Sequence, residues 1–465
     1  MVFSTVAFLF YFLPIFLTVY FLLPGITAKN VFLLLASLVF YAWGEPWFVF
    51  VLLVVIAGNY AMAIVIDGAQ GRMRTACTAL GVVANLAVLG TFKYLDFFVN
   101  SVKGLLGVSV FGLEPMGFLP LGVSFVSFHA ISYLVDVHRR KVVANRDPLQ
   151  IAVYLSMFPQ LVAGPIVRYN TIYRQLSARR ETLGRASAGI RIFIIGLAQK
   201  VLIADEVARI AEAVFDKAVR PSFAEAWLGV GAYTLQIYFD FMGYSNMAIG
   251  LAMALGIRFP RNFRLPYTSL SITEFWRRWH ISLSAWFRDY LYIPLGGNRG
   301  SAARTYVNLG TVFLLCGLWH GAHRTFIIWG IHHGFFLIVE RAGLSRLLKA
   351  APFPVAWLYT LLVVMTGWVW FRAKGYSRAI EMFEGLAGLN GFSGLNFATH
   401  VALYPTTIAA MLIGTVLSVA SWIPRPKLSP LPYCAADTAT VAIFFALAVV
   451  TIAAGSYSPF LYFRF

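Results

Sequence analysis

Charged residues are scarce in this chain of 465 amino acids. They make up 12% of the sequence, whereas hydrophobic residues make up 60%. Soluble domains carry roughly 25% charged residues, so this composition excludes an ordinary soluble globular protein. It predicts instead an all-α polytopic membrane protein, because in lipid a helix satisfies its own backbone hydrogen bonds.

Cysteine is also scarce. The chain has only Cys77, Cys316 and Cys434, which lie far apart and show neither zinc-ligand spacing nor a disulfide framework. No pair of histidines combines His-x-x-x-His spacing with a supporting carboxylate, so no metal site is expected. The start lacks a positively charged segment followed by a small-residue cleavage site, so residues 2–24 are predicted to be a first membrane span rather than a signal peptide.

Acidic residues are few relative to basic ones, which leaves a net charge of +18. No nucleic-acid-binding motif accompanies this excess, and the basic residues collect in short loops between apolar runs. The positive-inside rule therefore places Lys29, Arg72, Arg74 and residues 139–146 in the cytoplasm, in contact with membrane lipids. The same rule predicts a periplasmic N-terminus and a periplasmic turn at Glu45.

Apolar runs fill most of the sequence and leave room for roughly ten or eleven membrane spans, some of them broken. No internal repeat or low-complexity tract divides them, which predicts a single domain over residues 1–465. The runs cover residues 2–24, 31–43, 47–66, 75–95, 115–137, 151–167, 188–203, 224–257, 305–318, 325–339, 355–371, 401–423 and 438–457.

Two stretches do not fit simple spans. Residues 151–167 lie between two basic stretches and contain Pro159 and Pro165, a pattern that predicts a re-entrant segment on the cytoplasmic side. Residues 276–292 are too polar to span, but their aromatic residues follow helical spacing. They are predicted to form one amphipathic helix at the membrane interface.

The segment Trp319-His320-Gly321 closes the apolar run that begins at residue 307. An ionisable side chain at this depth is a functional-site hypothesis, because burying it is costly. An imidazole takes and gives a proton near neutral pH, so His320 is a candidate general base. The alternative is a structural histidine that bonds to a nearby carbonyl group.

A second histidine, His280, lies in a basic stretch with Arg277, Arg278 and Arg288. Arginine side chains bind phosphate oxygens in a bidentate manner, so this cluster is a candidate site for an anionic donor molecule. The alternative is a basic helix face in contact with anionic lipid head groups.

Other polar residues occur inside apolar runs. Asp240 needs a partner at such a position, and an arginine partner or a contact that orients a histidine or substrate would each provide one. Asn246 follows on the same run, and Trp319 lies next to His320. His332, His333 and Glu340 are interpreted mainly as a polar seam between helices, while His129, His138 and His400 receive no functional assignment.

Taken together, these motifs resemble the membrane-bound O-acyltransferase family, and within it the branch of bacterial alginate O-acetylation. The resemblance extends over almost the whole chain. It rests on residues 1–4, 40–43, 120–125, 158–165, 238–250, 271–284, 288–293, 295–300 and 317–322.

The resemblance implies a ring of roughly 11 tilted transmembrane helices around a central funnel, with His320 as the catalytic histidine and His280 as the second. It also implies a bacterial inner-membrane enzyme that takes acetyl from cytoplasmic acetyl-CoA, with no bound cofactor. The acetyl group would pass to a polysaccharide, alginate first, through a periplasmic acetyltransferase or SGNH-hydrolase-like partner. Asn246 and His129 depart from the alginate pattern and leave peptidoglycan, cellulose and other polymers open as acceptors.

Two other functions compete with this one. D-alanylation of teichoic acid lies within the same family, but residues 295–300 are more similar to the polysaccharide branch. A transporter of lipid-linked sugars shares the polytopic composition. Such a transporter would show paired broken helices in repeated halves, which the sequence lacks.

Overall fold

The structure of this protein is a computed structural model that describes residues 1–106, 121–420, 430–455 and 460–461. Outside this description lie the side chains of residues 96, 100, 102–106 and 430–437, which include Cys434. Parts of the predicted runs 115–137, 401–423 and 438–457 also lie outside the described residues. Within these ranges the regular structure is helical and contains no strand. The all-α prediction is confirmed.

Close contacts group the chain into two compact units, Met1–Phe193 with Met247–Pro260, and Ile194–Asn246 with Arg261–Phe465. The first helices in chain order are α1 (Ala7–Leu22), α2 (Gly25–Ala42), α3 (Phe48–Gly68), α4 (Gly71–Leu106), α5 (Val123–His138), α6 (Pro148–Ser156), α7 (Phe158–Leu161), α8 (Tyr169–Ser177) and α9 (Leu183–Lys217). They are followed by α10 (Phe223–Ala254), α11 (Ile272–Arg278), α12 (Ile281–Phe287), α13 (Ala302–His320), α14 (Arg324–Val339), α15 (Ser345–Ala350), α16 (Phe353–Arg372), α17 (Tyr376–Leu386), α18 (Phe397–Ala402), α19 (Pro405–Ser418) and α20 (Pro430–Ala453).

Five of the described helices are long and apolar enough to cross a membrane: Gly25–Ala42, Phe48–Gly68, Gly71–Leu95, Leu183–Lys217 and Phe353–Arg372. Three shorter apolar helices, Ala7–Leu22, Pro405–Ser418 and Thr438–Ala453, join them. Only a third of the apolar window in α3 is buried, so its remaining apolar surface suits lipid. The chain is thus a polytopic membrane protein, and the number of about eleven spans stays a prediction.

The predicted run 401–423 is not one helix in its described part. It divides into α18 and α19 around Tyr404, whose backbone is extended (φ −75°, ψ 157°). The reason is Pro405, which disfavours helical backbone at the residue before it and is tolerated in the first turn of the next helix.

Polar side chains inside the first unit bond to each other across helices. Asn59 on α3 and Asn85 on α4 exchange two amide hydrogen bonds of 3.0 and 2.8 Å, and both side chains are buried. Interhelical bonds of this kind help to hold membrane helices together where the lipid offers no partners.

The predicted re-entrant segment 151–167 is broken where the prolines stand. Helix α6 ends at Ser156, α7 covers only Phe158–Leu161, and every residue from 153 to 167 is buried. The irregular end is held by His129, whose Nε2 accepts a hydrogen bond of 3.2 Å from the backbone N–H of Val167. Protein groups thus satisfy backbone that lipid would not tolerate, and His129 has a structural contact here.

Helices α13 and α14 form an antiparallel hairpin in the second unit, and glycines set how closely they approach. A Cβ atom added at Gly317 would lie 2.3 Å from the carbonyl oxygen of Phe326, and one added at Gly330 would lie 2.3 Å from that of Phe313. Small residues allow such backbone contact between membrane helices. Because His320 is the last residue of α13, this crossing determines where its ring lies.

The substitution Gly317→Ala is expected to lower the stability of the protein by about 1–3 kcal/mol, since the new methyl group has to push the two helices apart. The measurement is the thermal unfolding temperature in detergent. Gly310→Ala on the same helix is the matched control, because a Cβ atom there meets nothing within 4 Å. Equal unfolding temperatures for the two variants would contradict the tight crossing.

Candidate active site

His320 ends helix α13 inside an aromatic box of the second unit. Its side chain is 5% exposed. Its ring centroid lies 4.9 Å from that of Trp319, 5.0 Å from that of Trp329 and 5.1 Å from that of Phe371, all in edge-to-face geometry. The box keeps the imidazole in a dry environment, where a proton acceptor is not outcompeted by water.

His320 is the last residue of helix α13. The last carbonyl groups of a helix carry a partial negative charge, which stabilises a cation in the final turn. The chain then turns away at Gly321, where a Cβ atom would lie 2.3 Å from the ring of Phe326. A glycine after His320 is therefore needed for this packing.

His280 does not lie in a continuous helix, which corrects the prediction for residues 276–292. Helix α11 ends at Arg278, His280 adopts a left-handed conformation (φ 40°, ψ 54°), and α12 begins at Ile281. Strained backbone of this kind persists only where the surroundings hold it. Here the peptide groups on either side of the break bond to a neighbouring segment, with Arg264 N donating to Arg278 O and Ile281 N to Asn262 O, both at 2.9 Å.

The side chain of Asn262 fixes the ring of His280. Its Oδ1 lies 3.1 Å from His280 Nδ1 and also accepts hydrogen bonds from the N–H and hydroxyl of Ser282. Because this amide oxygen can only accept, Nδ1 of His280 carries the proton and Nε2 carries the lone pair. Complete burial also lowers the pKa of His280 well below its usual value, so the ring is neutral at physiological pH.

Trp319 connects the two histidines. Its ring centroid lies 6.2 Å from that of His280 and 4.9 Å from that of His320. The structure therefore brings His280 close to Trp319 and His320, although His280 and His320 are forty positions apart in the sequence. Phe241 completes the surroundings of His280 at 4.5 Å, edge to face.

The side chains of Asp240 and Asn246 bond to residues other than His280 and His320. The Asp240 carboxylate pairs with Lys200 Nζ at 2.7 Å and accepts the backbone N–H of Leu461, so its cationic partner is a lysine and not the arginine or histidine considered from the sequence. Asn246 donates to Gln199 Oε1 at 2.8 Å. Both residues thus bond to helix α9.

A cavity of about 420 Å³ lies beside these elements, within the range of roughly 300–1,000 Å³ usual for ligand sites. Arg277 and Arg288 line it together with Trp276, Ser284 and Cys316, and Cys316 is one helical turn before His320. Arg278 is not among the described lining residues, since it bonds to Glu274 at 2.6 Å. The prediction of a basic site thus fits two of its three arginines.

Arg288 is held by its neighbour. Its guanidinium bonds to Asp289 at 2.7 Å, and this hydrogen bond raises the pKa of Arg288. The side chain remains 62% exposed, so it is still accessible to an anionic molecule.

Sequence reasoning missed two residues that organise the site. Nothing in the sequence around Asn262, an amide in a basic loop, indicated that it would bond to His280. Glu340, interpreted as part of a polar seam, accepts the backbone N–H groups of Ile272 and Thr273 at 2.6 and 2.9 Å and so anchors the start of α11. Only a contact across 68 positions of sequence reveals that role.

No group of three or more histidine, cysteine or carboxylate side chains suited to a metal ion occurs in the described ranges. Cys77 and Cys316 are buried free thiols there. The imidazoles of His320 and His280 and the guanidinium groups of Arg277 and Arg288 are among the polar groups that could act on a substrate.

Fold and site define a class: a polytopic helical membrane protein with two buried histidines beside a basic cavity. Comparison with known proteins then gives the family. The model of the membrane-bound O-acyltransferase family matches residues 38–375, and the chain belongs to that family. It is accordingly a membrane-bound O-acyltransferase.

Several relatives match this chain over its full length. It is 42% identical to a probable alginate O-acetylase of Pseudomonas putida and 42% identical to one of Azotobacter vinelandii, with all of both chains covered in each case. It is 36% identical to a peptidoglycan O-acetyltransferase of Helicobacter pylori, which covers all of this chain and 98% of that protein.

The substitution Asn262→Asp is expected to make acyl transfer fail at acidic pH. A carboxylate beside Nδ1 favours the imidazolium form and raises the pKa of His280, so the acid limb of the pH–rate profile should move up by about one unit or more. Asn246→Asp serves as the control, because it adds the same charge next to Gln199 instead. Identical pH profiles for both variants would argue against a role for neutral His280.

Proposed function

We propose that this enzyme moves acetyl from cytoplasmic acetyl-CoA across the bacterial inner membrane for O-acetylation of a polysaccharide. The observation that carries the proposal is His320 in its dry aromatic box, one helical turn from a cavity bordered by Arg277 and Arg288. Full-length similarity to proteins named as O-acetylases supports acetyl as the group transferred.

His320 acts as the general base of the transfer. It takes the proton of the acceptor hydroxyl while the hydroxyl oxygen attacks the thioester carbonyl carbon. The tetrahedral intermediate then breaks its C–S bond, the ester remains on the acceptor, and the proton goes to the CoA thiolate. The end of helix α13 stabilises the imidazolium that exists between these two proton transfers.

His280 supports this chemistry as a neutral imidazole. With Nδ1–H directed to Asn262, its Nε2 carries the lone pair, and the indole of Trp319 packs near both imidazole rings. The basic cavity binds the phosphates of CoA, because guanidinium groups match phosphate oxygens.

The acceptor is an exopolysaccharide, with alginate favoured by the similarity to alginate O-acetylases. The acetyl group reaches it through a periplasmic acetyltransferase or SGNH-hydrolase-like partner. Similarity to a peptidoglycan O-acetyltransferase over all of the chain makes a cell-wall polymer the second candidate. In this relay the hydroxyl group acetylated at His320 belongs to the partner, so the chemistry at His320 is the same for either polymer.

The substitution His320→Ala is expected to abolish acetyl transfer while leaving expression and detergent behaviour near normal. General acid–base groups supply about 10²–10⁴-fold, so the remaining rate should be no more than about 1% of the wild type. The measurement is acetylation of the polymer in cells, with size-exclusion chromatography as the check on folding. His400→Ala, at an exposed position, is the matched control. A His320→Ala variant that keeps a substantial part of the wild-type rate would contradict the general-base role.

Reversing the charge at Arg288 is expected to weaken acetyl-CoA binding by roughly tenfold at low salt, and less at high salt where charges are screened. Calorimetry with detergent-solubilised Arg288→Glu at two salt concentrations measures this. Arg346→Glu changes the same charge at another exposed arginine and should bind normally. If Arg288→Glu binds acetyl-CoA with wild-type affinity, the alternative holds, in which this basic face contacts anionic lipid head groups.

A further inference from the structure

Three buried aromatic side chains of the second unit that contact each other carry ring nitrogens for which the described structure shows no hydrogen-bond partner. These are Nε1 of Trp276, Nε1 of Trp329, and both Nδ1 and Nε2 of His333. The exposed fractions of the three side chains are 7%, 1% and 0%. They form a nitrogen cluster, since the ring centroids of His333 lie 5.1 Å from Trp276 and 5.2 Å from Trp329.

The same fold provides acceptors for other indoles. Trp357 donates its Nε1–H to the carbonyl oxygen of Tyr267 at 2.9 Å, and Trp227 donates to that of Leu386 at 3.2 Å. His332, next to His333 in sequence, bonds to Val363 O at 2.9 Å. A buried donor without an acceptor destabilises the fold, so the concentration of several such nitrogens in one cluster requires an explanation.

The nitrogen cluster extends from the basic cavity to the catalytic histidine. Trp276 lines the cavity, and the ring of Trp329 contacts that of His320 at 5.0 Å. His333 contacts both tryptophan rings, which themselves lie 5.7 Å apart. It also approaches α16 closely at Gly367, where a Cβ atom would come within 2.7 Å of Nε2. The cluster thus borders the basic cavity through Trp276 and contacts His320 through Trp329.

We propose that this nitrogen cluster binds the carbonyl oxygen of the acyl thioester. The inference rests on the proposed function, in which the donor is acetyl-CoA. The cluster offers N–H donors and no oxygen acceptor, which suits a carbonyl oxygen and an oxyanion alike. Donors aimed at an oxygen that gains negative charge during attack are among the strongest contributions to acyl transfer.

The test uses two ligands and three variants of the full-length protein in detergent. Acetyl-CoA carries the carbonyl oxygen, whereas ethyl-CoA is a thioether that lacks it. His333→Phe and Trp329→Phe keep an aromatic ring and remove nitrogen. His332→Phe is the matched control, since it removes a histidine whose nitrogen already has a partner.

Wild-type protein and the His332→Phe control should bind acetyl-CoA about three- to tenfold more tightly than ethyl-CoA, the gain of one hydrogen bond. His333→Phe and Trp329→Phe should lose this preference. Their kcat/KM for acetyl transfer should fall by about ten- to a hundredfold. Their unfolding temperatures should stay level or rise, because a buried unpaired polar group has been removed, whereas that of His332→Phe should fall.

Several results would overturn the proposal. Unchanged ligand preference and unchanged kcat/KM in both variants would show that the nitrogens are not used. Equal loss of affinity for both ligands would assign the cluster to the amides of the pantetheine arm instead. If His333→Phe does not fold, Trp329→Phe decides by the same criteria. If the wild-type protein does not bind acetyl-CoA, the proposed function itself is refuted. If it binds acetyl-CoA and the two variants behave like the wild type, only this inference is refuted.

Discussion

The contact between the backbones of Gly317 and Gly330 is the constraint on which the site depends. It allows α13 and α14 to touch without intervening side chains, and the residues beside it then become the walls of the site. Trp329 precedes Gly330 and reaches the ring of His320, while Phe326 fits over Gly321. A single added methyl group at the crossing would therefore displace the ring of His320 together with the aromatic side chains around it.

A second constraint is the treatment of buried polar groups. Asn262 meets the needs of His280, Ser282 and Ser245 at once, and the resulting bonds support a histidine in left-handed backbone. Lys200 and Asp240 neutralise each other in the same unit. His333 contrasts with both, since its two nitrogens have no protein partner in the described structure. Unpaired polar groups at one place lower the stability of the fold. Where neighbouring polar groups are all hydrogen-bonded, such an exception is typical of a binding site.

Predictions from hydrophobic periodicity and from helix-breaking residues were correct where a segment's own residues decide its structure. Pro159 and Pro165 predicted that residues 151–167 are broken, and the helices α6 and α7 are indeed short and separate there. The prediction of one helix over residues 276–292 was wrong, because helical spacing of aromatic residues does not reveal that Asn262 and Arg264 pair with the backbone on either side of His280. Asp240 illustrates the same limit, since its need for a cation was evident but Lys200, forty residues away, was not.

The sequence by itself determined that this protein is helical and membrane-embedded, because hydropathy and scarce charge are properties of the chain alone, and it marked His320 and His280 as candidate site residues. It also marked Arg277 and Arg288 as candidates for binding an anion. Only the tertiary structure decided that one tryptophan, Trp319, lies against both histidines, that Arg278 is engaged by Glu274, and that His333 packs against the cavity-lining Trp276. These facts depend on contacts between distant segments, and such contacts are set by packing and hydrogen-bond satisfaction across the whole unit rather than by any local pattern.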